Sequence, residues 1–328
     1  MKGLVLAKED LPEGWIGAAV GEPYIVKENL FKIFNPPELN LTDKSVFEYS
    51  KPQGYDPLVK YLQDKHQAPV VISNGAKQAI GALFFALKQQ GIQDIYLKKP
   101  WWSLFPPLIK MHGLNQTENV LEPNMAHLLV SPNNPDGSGQ SILNNVNAEY
   151  VIHDAAYYNH VYLPREAPLN ALGSVQVFTC SKLFGLSQLR VGYSVFYNTD
   201  LYSSVLEYME HMTVGASVLS QMYAYELFHE MSANPSKKLD FENKCYDHLS
   251  LNRLYVNTLV NPSVLEIDHN QTGMFLWAKC HNVKIFDDAK IMVVEGTPFG
   301  MPGYIRMNLA LPSHQIGEIV RRINALSD

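Results

Sequence analysis

Apolar runs alternate with stretches of helical periodicity over residues 70–197. Residues 70–72 form a β-branched run that predicts a strand, and residues 73–75 predict a turn. Apolar side chains then recur at helical spacing from Ala76 until Gly91 ends the predicted helix. Further strands are predicted at residues 94–98, 127–130, 150–153 and 175–178. This alternation favours an α/β fold in which a mostly parallel sheet lies between two layers of helices.

The C-terminal third predicts a smaller α/β unit. A helical stretch over residues 201–231 is interrupted at 213–217. Residues 232–240 are expected to link this stretch to the C-terminal part. Strands of that part are predicted at residues 274–279, 291–295 and 304–311.

Residues 35–40, with two adjacent prolines, break any regular element and mark a crossing out of an N-terminal arm. We therefore expect a large domain at residues 36–231. The arm, residues 1–35, is expected to join residues 232–328 in a small domain.

Composition then narrows the class of protein. With 46% hydrophobic residues, a chain of 328 residues can bury a substantial core. The net charge of −6 is spread without long basic runs, which argues against nucleic acid as a partner. No stretch reaches the length of a membrane span, and the apolar run at the N-terminus is too short for a signal peptide. Cys180, Cys245 and Cys280 share no metal-ligand spacing, so we expect a cytoplasmic protein without a metal site.

Lys182 is the first candidate for chemistry. It follows the predicted strand at residues 175–178 and lies among Ser, Thr and Phe side chains rather than solvated charges. Burial disfavours the ammonium form of a lysine, and a neutral amine is a carbonyl nucleophile. The alternative is that Lys182 caps a helix and that Arg190, eight residues later, makes a surface ion pair. This segment alone leaves both interpretations open.

Residues 181–193 resemble the Schiff-base segment of class I/II aminotransferases, which are fold-type I enzymes that use pyridoxal 5′-phosphate. Gln188 departs from that pattern, since family members commonly have Gly there, and is expected to alter a loop rather than the chemistry. Four further stretches match the family in its order, at residues 73–79, 133–137, 154–157 and 304–310. The fold and cofactor implied are those of a fold-type I pyridoxal phosphate enzyme.

The resemblance implies a phosphate site at the start of the predicted helix after residue 75. Such a turn leaves unpaired backbone N–H groups that favour an anion, and an arginine fork matches two phosphate oxygens. Structural turns of this kind are equally common, and Tyr49 is alternatively a tyrosine packed in a loop. The implied phosphate ligands are Gly75, Ala76, Thr179, Ser181 and Arg190, with Tyr49 contributed by a second subunit.

The resemblance also implies partners for the cofactor ring. Trp102 would stack on the ring, with Trp101 as the alternative, while Asn134 and Tyr157 would bind the phenolic oxygen. Asp154 would keep the pyridine nitrogen protonated, so that the ring can withdraw electrons from the substrate. In the competing interpretation Asp154 caps a helix and Tyr157 belongs to the core.

Substrate binding is implied for three residues. Arg306 resembles the clamp for the substrate α-carboxylate, Asn134 is implied as a further substrate-binding residue, and Gly17 belongs to a segment that lines the substrate mouth. The alternatives are a surface ion pair for Arg306 and a simple turn at residues 21–23. Only six arginines are present, and none is evident for a second substrate carboxylate, so a neutral amino donor is favoured. The alternative is that a lysine or a residue of a second subunit binds such a carboxylate.

The function implied is that of a pyridoxal phosphate-dependent aminotransferase. It would transfer an amino group from an amino acid to a 2-oxo acid by a ping-pong mechanism through a Schiff base on Lys182. Lys182, Asp154 and Tyr157 would be the catalytic residues. Tyr49 and the segment near Gly215 imply a homodimer with shared active sites. The alternatives are a carbon–sulfur lyase or another pyridoxal phosphate enzyme of fold-type I, and a cofactor-binding regulator without activity.

Overall fold

The computed structural model describes residues 11–142 and 145–326. The strands of the described residues are β1 (Ile16–Gly17), β2 (Val70–Ser73), β3 (Asp94–Tyr96), β4 (Asn115–Thr117), β5 (Met125–Val130), β6 (Ala148–Asp154), β7 (Val175–Thr179), β8 (Gly192–Phe196), β9 (Leu265–Ile267), β10 (Phe275–Cys280), β11 (Ile291–Met292), β12 (Val294–Glu295) and β13 (Tyr304–Asn308). The helices are α1 (Tyr24–Ile33), α2 (Asp56–His66), α3 (Ala76–Gln89), α4 (Phe105–Met111), α5 (Cys180–Leu183), α6 (Tyr202–Thr213), α7 (Val218–Ala233), α8 (Pro235–Leu259), α9 (Lys284–Asp288) and α10 (Ser313–Asn324).

The largest sheet of the described residues has seven strands in the order β2-β8-β7-β6-β5-β3-β4. Strand β8 runs antiparallel to both of its neighbours, whereas the other neighbouring pairs are parallel. The prediction of a mostly parallel sheet is confirmed. Parallel pairing places the C-terminal ends of β3, β5, β6 and β7 along one edge of the sheet, where ligands bind in open α/β folds.

Helices cover both faces of this sheet. Val71 packs with Leu83 of α3 and with residues of α6 on one face. Its neighbour Ile72 packs on the other face with Leu62 of α2 and Phe228 of α7, because successive strand residues point to opposite faces. A fully buried leucine or phenylalanine stabilises the fold by about 1.5–3 kcal/mol. The layered α/β architecture therefore follows from the alternation of apolar residues in the strands.

The helical stretch after β8 is divided where the sequence predicts a break. Helix α6 ends at Thr213, and α7 begins at Val218, after Ser217, whose side chain accepts a hydrogen bond from the N–H of Ser220. The predicted link at residues 232–240 is wrong for most of its length, because α8 begins at Pro235. A proline is well tolerated in the first turn of a helix, where its missing N–H has no intrahelical partner.

The C-terminal strands form a second sheet, in the order β12-β13-β10-β9, with antiparallel neighbours. The N-terminal arm joins this part, since β1 pairs in parallel with β11. The domain boundaries near residues 36 and 232 stay a prediction. Among the helices of the described residues, none combines the length and the apolar composition needed to cross a membrane.

Candidate active site

Lys182 lies in the single-turn helix α5, directly after β7. The hydroxyl of Thr179 accepts a hydrogen bond from the N–H of Ser181 (3.3 Å) and so caps the start of this turn. The Lys182 amine donates a hydrogen bond to the Gly21 carbonyl and lies 5.8 Å from the centre of the Tyr157 ring. Burial lowers the pKa of Lys182 to about 8. An appreciable fraction of this amine is therefore neutral near pH 8.

Asp154 ends β6 and is buried. The N–H of Ala156 donates to its Oδ1 (3.1 Å), which fixes the carboxylate in a turn and not at the start of a helix. Burial raises the pKa of Asp154 to about 6, although the Ala156 N–H and the charge of Lys182 both act in the opposite direction. A carboxylate in such a place gains stability from a cationic partner.

Tyr157 is buried between two aromatic rings, Tyr162 at 5.3 Å and Phe275 at 5.9 Å, each in an edge-to-face arrangement. Burial raises the pKa of the Tyr157 phenol well above its usual range, while Arg306 and Asn134 act to lower it. The phenol is therefore a neutral hydrogen-bonding group at physiological pH. Tyr157 does belong to a core cluster, as the competing interpretation had it, but it also faces Lys182.

Arg306 lies on β13 and is only 5% exposed. Its Nη1 donates to Asn134 Oδ1 (2.9 Å) and its Nη2 to the Ala19 carbonyl (2.8 Å), while the guanidinium lies 4.2 Å from the centre of the Phe275 ring. Its Nε is buried without a hydrogen-bond partner, and no carboxylate of the described residues lies within ion-pair distance. Burial lowers its pKa to about 10, which still leaves the group charged. The alternative of a surface ion pair is wrong.

The turn before α3 is built from close backbone contacts. Gly75 has φ +79°, and a Cβ at this position would lie 2.6 Å from Nη2 of Arg190. A Cβ on Gly192 would lie 2.6 Å from the backbone nitrogen of Ala76. Gly192 of β8 pairs with Ser73 on one side and with Thr179 on the other, so the turn and the lysine segment are held side by side. Glycine is required at both positions for this approach.

Arg190 lies over the turn. It has φ +51°, and its two Nη atoms donate to the carbonyls of Ser187 (2.9 Å) and Asn74 (3.0 Å). The side chain is exposed and, in the part of the chain that the structure describes, it forms no ion pair. A guanidinium held beside the first turn of a helix is well placed for an anion.

The two tryptophans after β3 have separate surroundings. Trp102 packs edge-to-face on Phe105 (5.1 Å), and Lys77 of the first turn of α3 lies 5.8 Å from its ring. Trp101 faces the C-terminal part, where a Cβ on Gly300 would lie 2.9 Å from its ring. Trp102 is therefore the tryptophan beside the start of α3, while its stacking on a cofactor ring stays a prediction.

Two predicted site residues lie apart from this cluster. Tyr49 is 91% exposed and borders a surface depression with residues 213–219, where a Cβ on Gly215 would lie 3.0 Å from the Ser50 hydroxyl. Tyr49 and the segment near Gly215, both of which the sequence associates with a homodimer, thus border the same depression in one chain. Gly17, in the arm, pairs with Met292 of β11, and a Cβ on Gly17 would meet Leu11. These contacts of Gly17 do not reach the cluster around Lys182.

Sequence reasoning missed the residues that supply these arm contacts. Ala19 and Gly21 present their carbonyls to Arg306 and Lys182, and the rings of Phe275 and Phe299 flank the guanidinium. The motif at residues 15–23 placed the arm near the site but could not show which carbonyl faces it. Backbone acceptors leave no signature in side-chain chemistry.

A half-buried lysine of lowered pKa, a buried aspartate, a tyrosine and asparagine pair and an arginine beside a helix start define the site of a fold-type I pyridoxal phosphate enzyme. The chain belongs to the allinase family, whose pattern matches residues 63–325. The predictions of fold, family and pyridoxal phosphate as cofactor are confirmed.

Curated relatives agree with this class. Tryptophan aminotransferase-related protein 2 of Arabidopsis thaliana is 29% identical over 47% of this chain and 37% of its own length. The chain thus spans well under half of that relative in the alignment. An aspartate aminotransferase of Thermotoga maritima is 24% identical over 98% of this chain and 93% of its own length. The crystal structure of aspartate aminotransferase from Thermotoga maritima has a TM-score of 0.74 at 20% identity, covering 96% of this chain and 93% of that one, and so shows the fold. These similarities support the prediction of a pyridoxal phosphate-dependent aminotransferase as a class.

Proposed function

We infer that this protein transfers the amino group of a neutral amino acid to a 2-oxo acid by a ping-pong mechanism. The observation that carries the proposal is the pairing of Lys182 and Arg306 in one site. The first is an amine whose pKa burial lowers to about 8, and the second is a buried cation without a carboxylate partner among the described residues. A nucleophilic amine next to an uncompensated guanidinium suits a substrate that carries a reactive carbon beside a carboxylate.

The residues present fit pyridoxal phosphate. The helix start at Gly75 and Ala76, with Arg190 above it, suits a phosphate group, and Trp102 beside that turn suits a flat ring. Asp154, whose pKa burial raises to about 6, would be stabilised by a protonated pyridine nitrogen. When bound, the cofactor supplies a ring that withdraws electrons from the substrate α-carbon.

Asn134 has one end of its amide committed. Its Oδ1 accepts from Arg306 and its amide also hydrogen-bonds the Tyr157 phenol, so an Nδ2 hydrogen is what remains to donate to a phenolic oxygen of the cofactor. Tyr157, as a neutral phenol on the other side of that oxygen, would share the same role. The proposed placement of these two residues therefore agrees with the hydrogen-bond polarity of the site.

Lys182 would be both the point of cofactor attachment and the carrier of the proton. A neutral amine can attack the cofactor carbonyl, and the same amine, once released by an incoming substrate, could take the proton from the substrate α-carbon as a general base and deliver it to the former carbonyl carbon of the cofactor as a general acid. The hydrogen bond from the Lys182 amine to the Gly21 carbonyl holds this side chain next to the arm. Because the donor and the acceptor would react in turn at the same amine, the kinetics would be ping-pong.

Arg306 would bind the substrate α-carboxylate and turn the α-hydrogen toward Lys182. The other arginines, except Arg190 at the proposed phosphate site, are committed elsewhere: Arg165 to Glu242, Arg321 and Arg322 to Glu318, and Arg253 to backbone carbonyls. Within one chain, no arginine is left for a second substrate carboxylate. The aromatic rings beside Arg306 further favour an apolar or aromatic side chain on the donor.

Two active sites would be shared in a homodimer. An exposed tyrosine, Tyr49, stands beside the interrupted segment at residues 213–219, and both would be covered by a second copy of this chain. Tyr49 would then reach the phosphate site of the partner subunit. Cys180, Cys245 and Cys280 are buried free thiols, which supports the proposed cytoplasmic location.

A half-reaction tests the proposal. The protein loaded with pyridoxal phosphate is mixed with one amino acid and no acceptor, and the visible absorbance of the cofactor and the products are followed. Loss of the band with one equivalent of 2-oxo acid is expected for phenylalanine and not for aspartate. A Lys182→Ala variant should show neither the starting band nor the product.

A carbon–sulfur lyase is the second candidate, and the match to the allinase family is the observation that favours it. A lyase uses the same lysine, aspartate and arginine but releases ammonia and a 2-oxo acid over many turnovers without an acceptor. Sustained ammonia release from a cysteine conjugate, with the visible band restored, would replace the aminotransferase proposal.

A further inference from the structure

A cavity beside the candidate active site lies on the sheet face covered by α2, α7 and α8. Its volume is about 530 Å³, which is within the range of small-molecule sites and far more than an inorganic anion needs. Its floor is formed by side chains of β7 and β8, including Phe178 and Tyr193, whose rings are stacked at 5.0 Å. Phe228 of α7 and Tyr61 of α2 form aromatic walls. This lining suits a planar apolar group.

The cavity carries a positive charge in a protein whose net charge is −6. Among its lining residues are three strong cations, Lys65, Arg165 and Lys238, and one acid, Glu242. One oxygen of Glu242 lies 2.7 Å from Arg165 and the other lies 3.6 Å from Lys238. The acid is therefore already occupied by two of the three cations.

Lys65 is the cation left over. Its amine lies 5.4 Å from the centre of the Phe228 ring, and no carboxylate of the described residues is within ion-pair distance. Lys65 is exposed to solvent, while the surrounding protein and the charge of Lys238 lower the pKa of its amine to about 8 against the opposing effect of Glu242. At neutral pH it is a charged amine that gains stability from an anion.

The cavity adjoins the proposed cofactor site without including its reacting groups. Its lining contains Thr179, an implied phosphate ligand, and Ala155, Ala156 and Leu183, which are neighbours in sequence of the catalytic residues, but neither Lys182 nor Arg306. An occupant would therefore lie against the segments that carry the catalytic side chains without touching the reacting groups.

We propose that this cavity binds a small aromatic carboxylate, with the carboxylate on Lys65 and the ring between Phe178, Phe228 and Tyr61. The carboxylate supplies a counter-charge for Lys65, which has no carboxylate within ion-pair distance among the described residues, and the ring fills the apolar volume that a bare anion would leave empty. Burial lowers the pKa of His66 to about 4, so this side chain is neutral beside Tyr193 and does not offer the carboxylate a second cation in place of Lys65.

The test is calorimetric titration of the protein loaded with pyridoxal phosphate, with phenylacetate as the probe. Lys65→Met is expected to weaken one binding event at least about tenfold, since a hydrogen bond to a charged group is lost. Lys60→Met is the matched control, because Lys60 lies on the same helix, is exposed and does not line the cavity. Phenylacetamide, which lacks the charge, should bind at least about tenfold more weakly than phenylacetate.

Phenylacetate could also bind Arg306, so the titration is repeated with Arg306→Met. The Lys65-dependent event should persist there, and its absence would mean that phenylacetate binds only in the catalytic centre and would overturn the proposal. Equal binding by Lys65→Met and wild type would do the same. If Lys65→Met did not fold, a crystal structure of the wild type soaked with phenylacetate decides, since a carboxylate on Lys65 supports the site and an empty cavity rejects it.

Discussion

Lys182 should lower the free energy of unfolding of the cofactor-free protein, and replacement of this lysine by methionine should therefore raise the free energy of unfolding. The folded protein lowers the pKa of this amine from 10.5 to about 8. Each pKa unit corresponds to about 1.4 kcal/mol, so holding the charged amine in the folded state costs roughly 3 kcal/mol. The lost hydrogen bond to the Gly21 carbonyl offsets about 1 kcal/mol of the gain. We therefore expect Lys182→Met to be more stable by about 2 kcal/mol at pH 7.

The pH dependence gives this prediction a direction. Below pH 8 the amine is charged in both folded and unfolded protein, so the cost is fully present. As the pH rises from 8 to 10.5, the folded protein releases its proton first and the cost disappears. The stability difference between Lys182→Met and wild type should therefore shrink between pH 7 and pH 10.

Urea unfolding of the cofactor-free protein, followed by circular dichroism at one protein concentration, measures both effects. Lys60→Met, on the exposed side of α2, is the control and should change the free energy of unfolding by less than about 0.5 kcal/mol. A Lys182→Met variant that is no more stable than wild type at pH 7, or whose difference does not depend on pH, would refute the claim that the site holds this amine at a cost.

Three further predictions concern binding. Arg306→Met should lower kcat/KM for the best amino acid donor by about 100-fold, because a charge-assisted contact with the substrate carboxylate is lost. Arg306→Lys should retain part of the wild-type kcat/KM. Reaction with the corresponding amine, which lacks the carboxylate, should not depend on this residue. Gly75→Ala should raise the Kd for pyridoxal phosphate by about tenfold or more, because its φ is +79° and its Cβ would displace Arg190, whereas Gly139→Ala, with open space around it, should leave the Kd unchanged in a fluorescence titration. Tyr49→Phe should weaken cofactor binding without lowering stability, since its side chain is 91% exposed in one chain, and an unchanged Kd would argue against the shared site.

The sequence predicts those parts of the site that depend on strand ends. Asp154 and Lys182 each follow a short apolar run, and parallel pairing of β6 with β7 is enough to bring them to one edge of the sheet. The turn at Gly75 joins them because β8 lies between β2 and β7. Local apolar patterning and the order of the motifs therefore carry most of the cofactor site.

Contacts between distant segments could not be predicted in this way. The carbonyl that binds Arg306 belongs to Ala19, 287 residues away, and the carbonyl that binds Lys182 belongs to Gly21, 161 residues away. Backbone acceptors are present at every residue, so nothing in the sequence distinguishes these two from their neighbours. The start of α8 at Pro235 was missed for a different reason, since a proline between two helical stretches is as typical of an interdomain linker as of the first turn of a helix.

The position of β8 in the sheet has a consequence for how the protein is made. Among the described residues, strand β2 lies at the edge of the sheet and pairs with β8 alone, so Ser73 has its partner in Gly192, more than a hundred residues later. During synthesis the helix start at Gly75 remains without its neighbouring strand until residue 196 has left the ribosome. Contacts of such sequence separation form late because the loop-closure entropy must be paid first. The nascent chain should therefore acquire affinity for pyridoxal phosphate only after β8 has emerged.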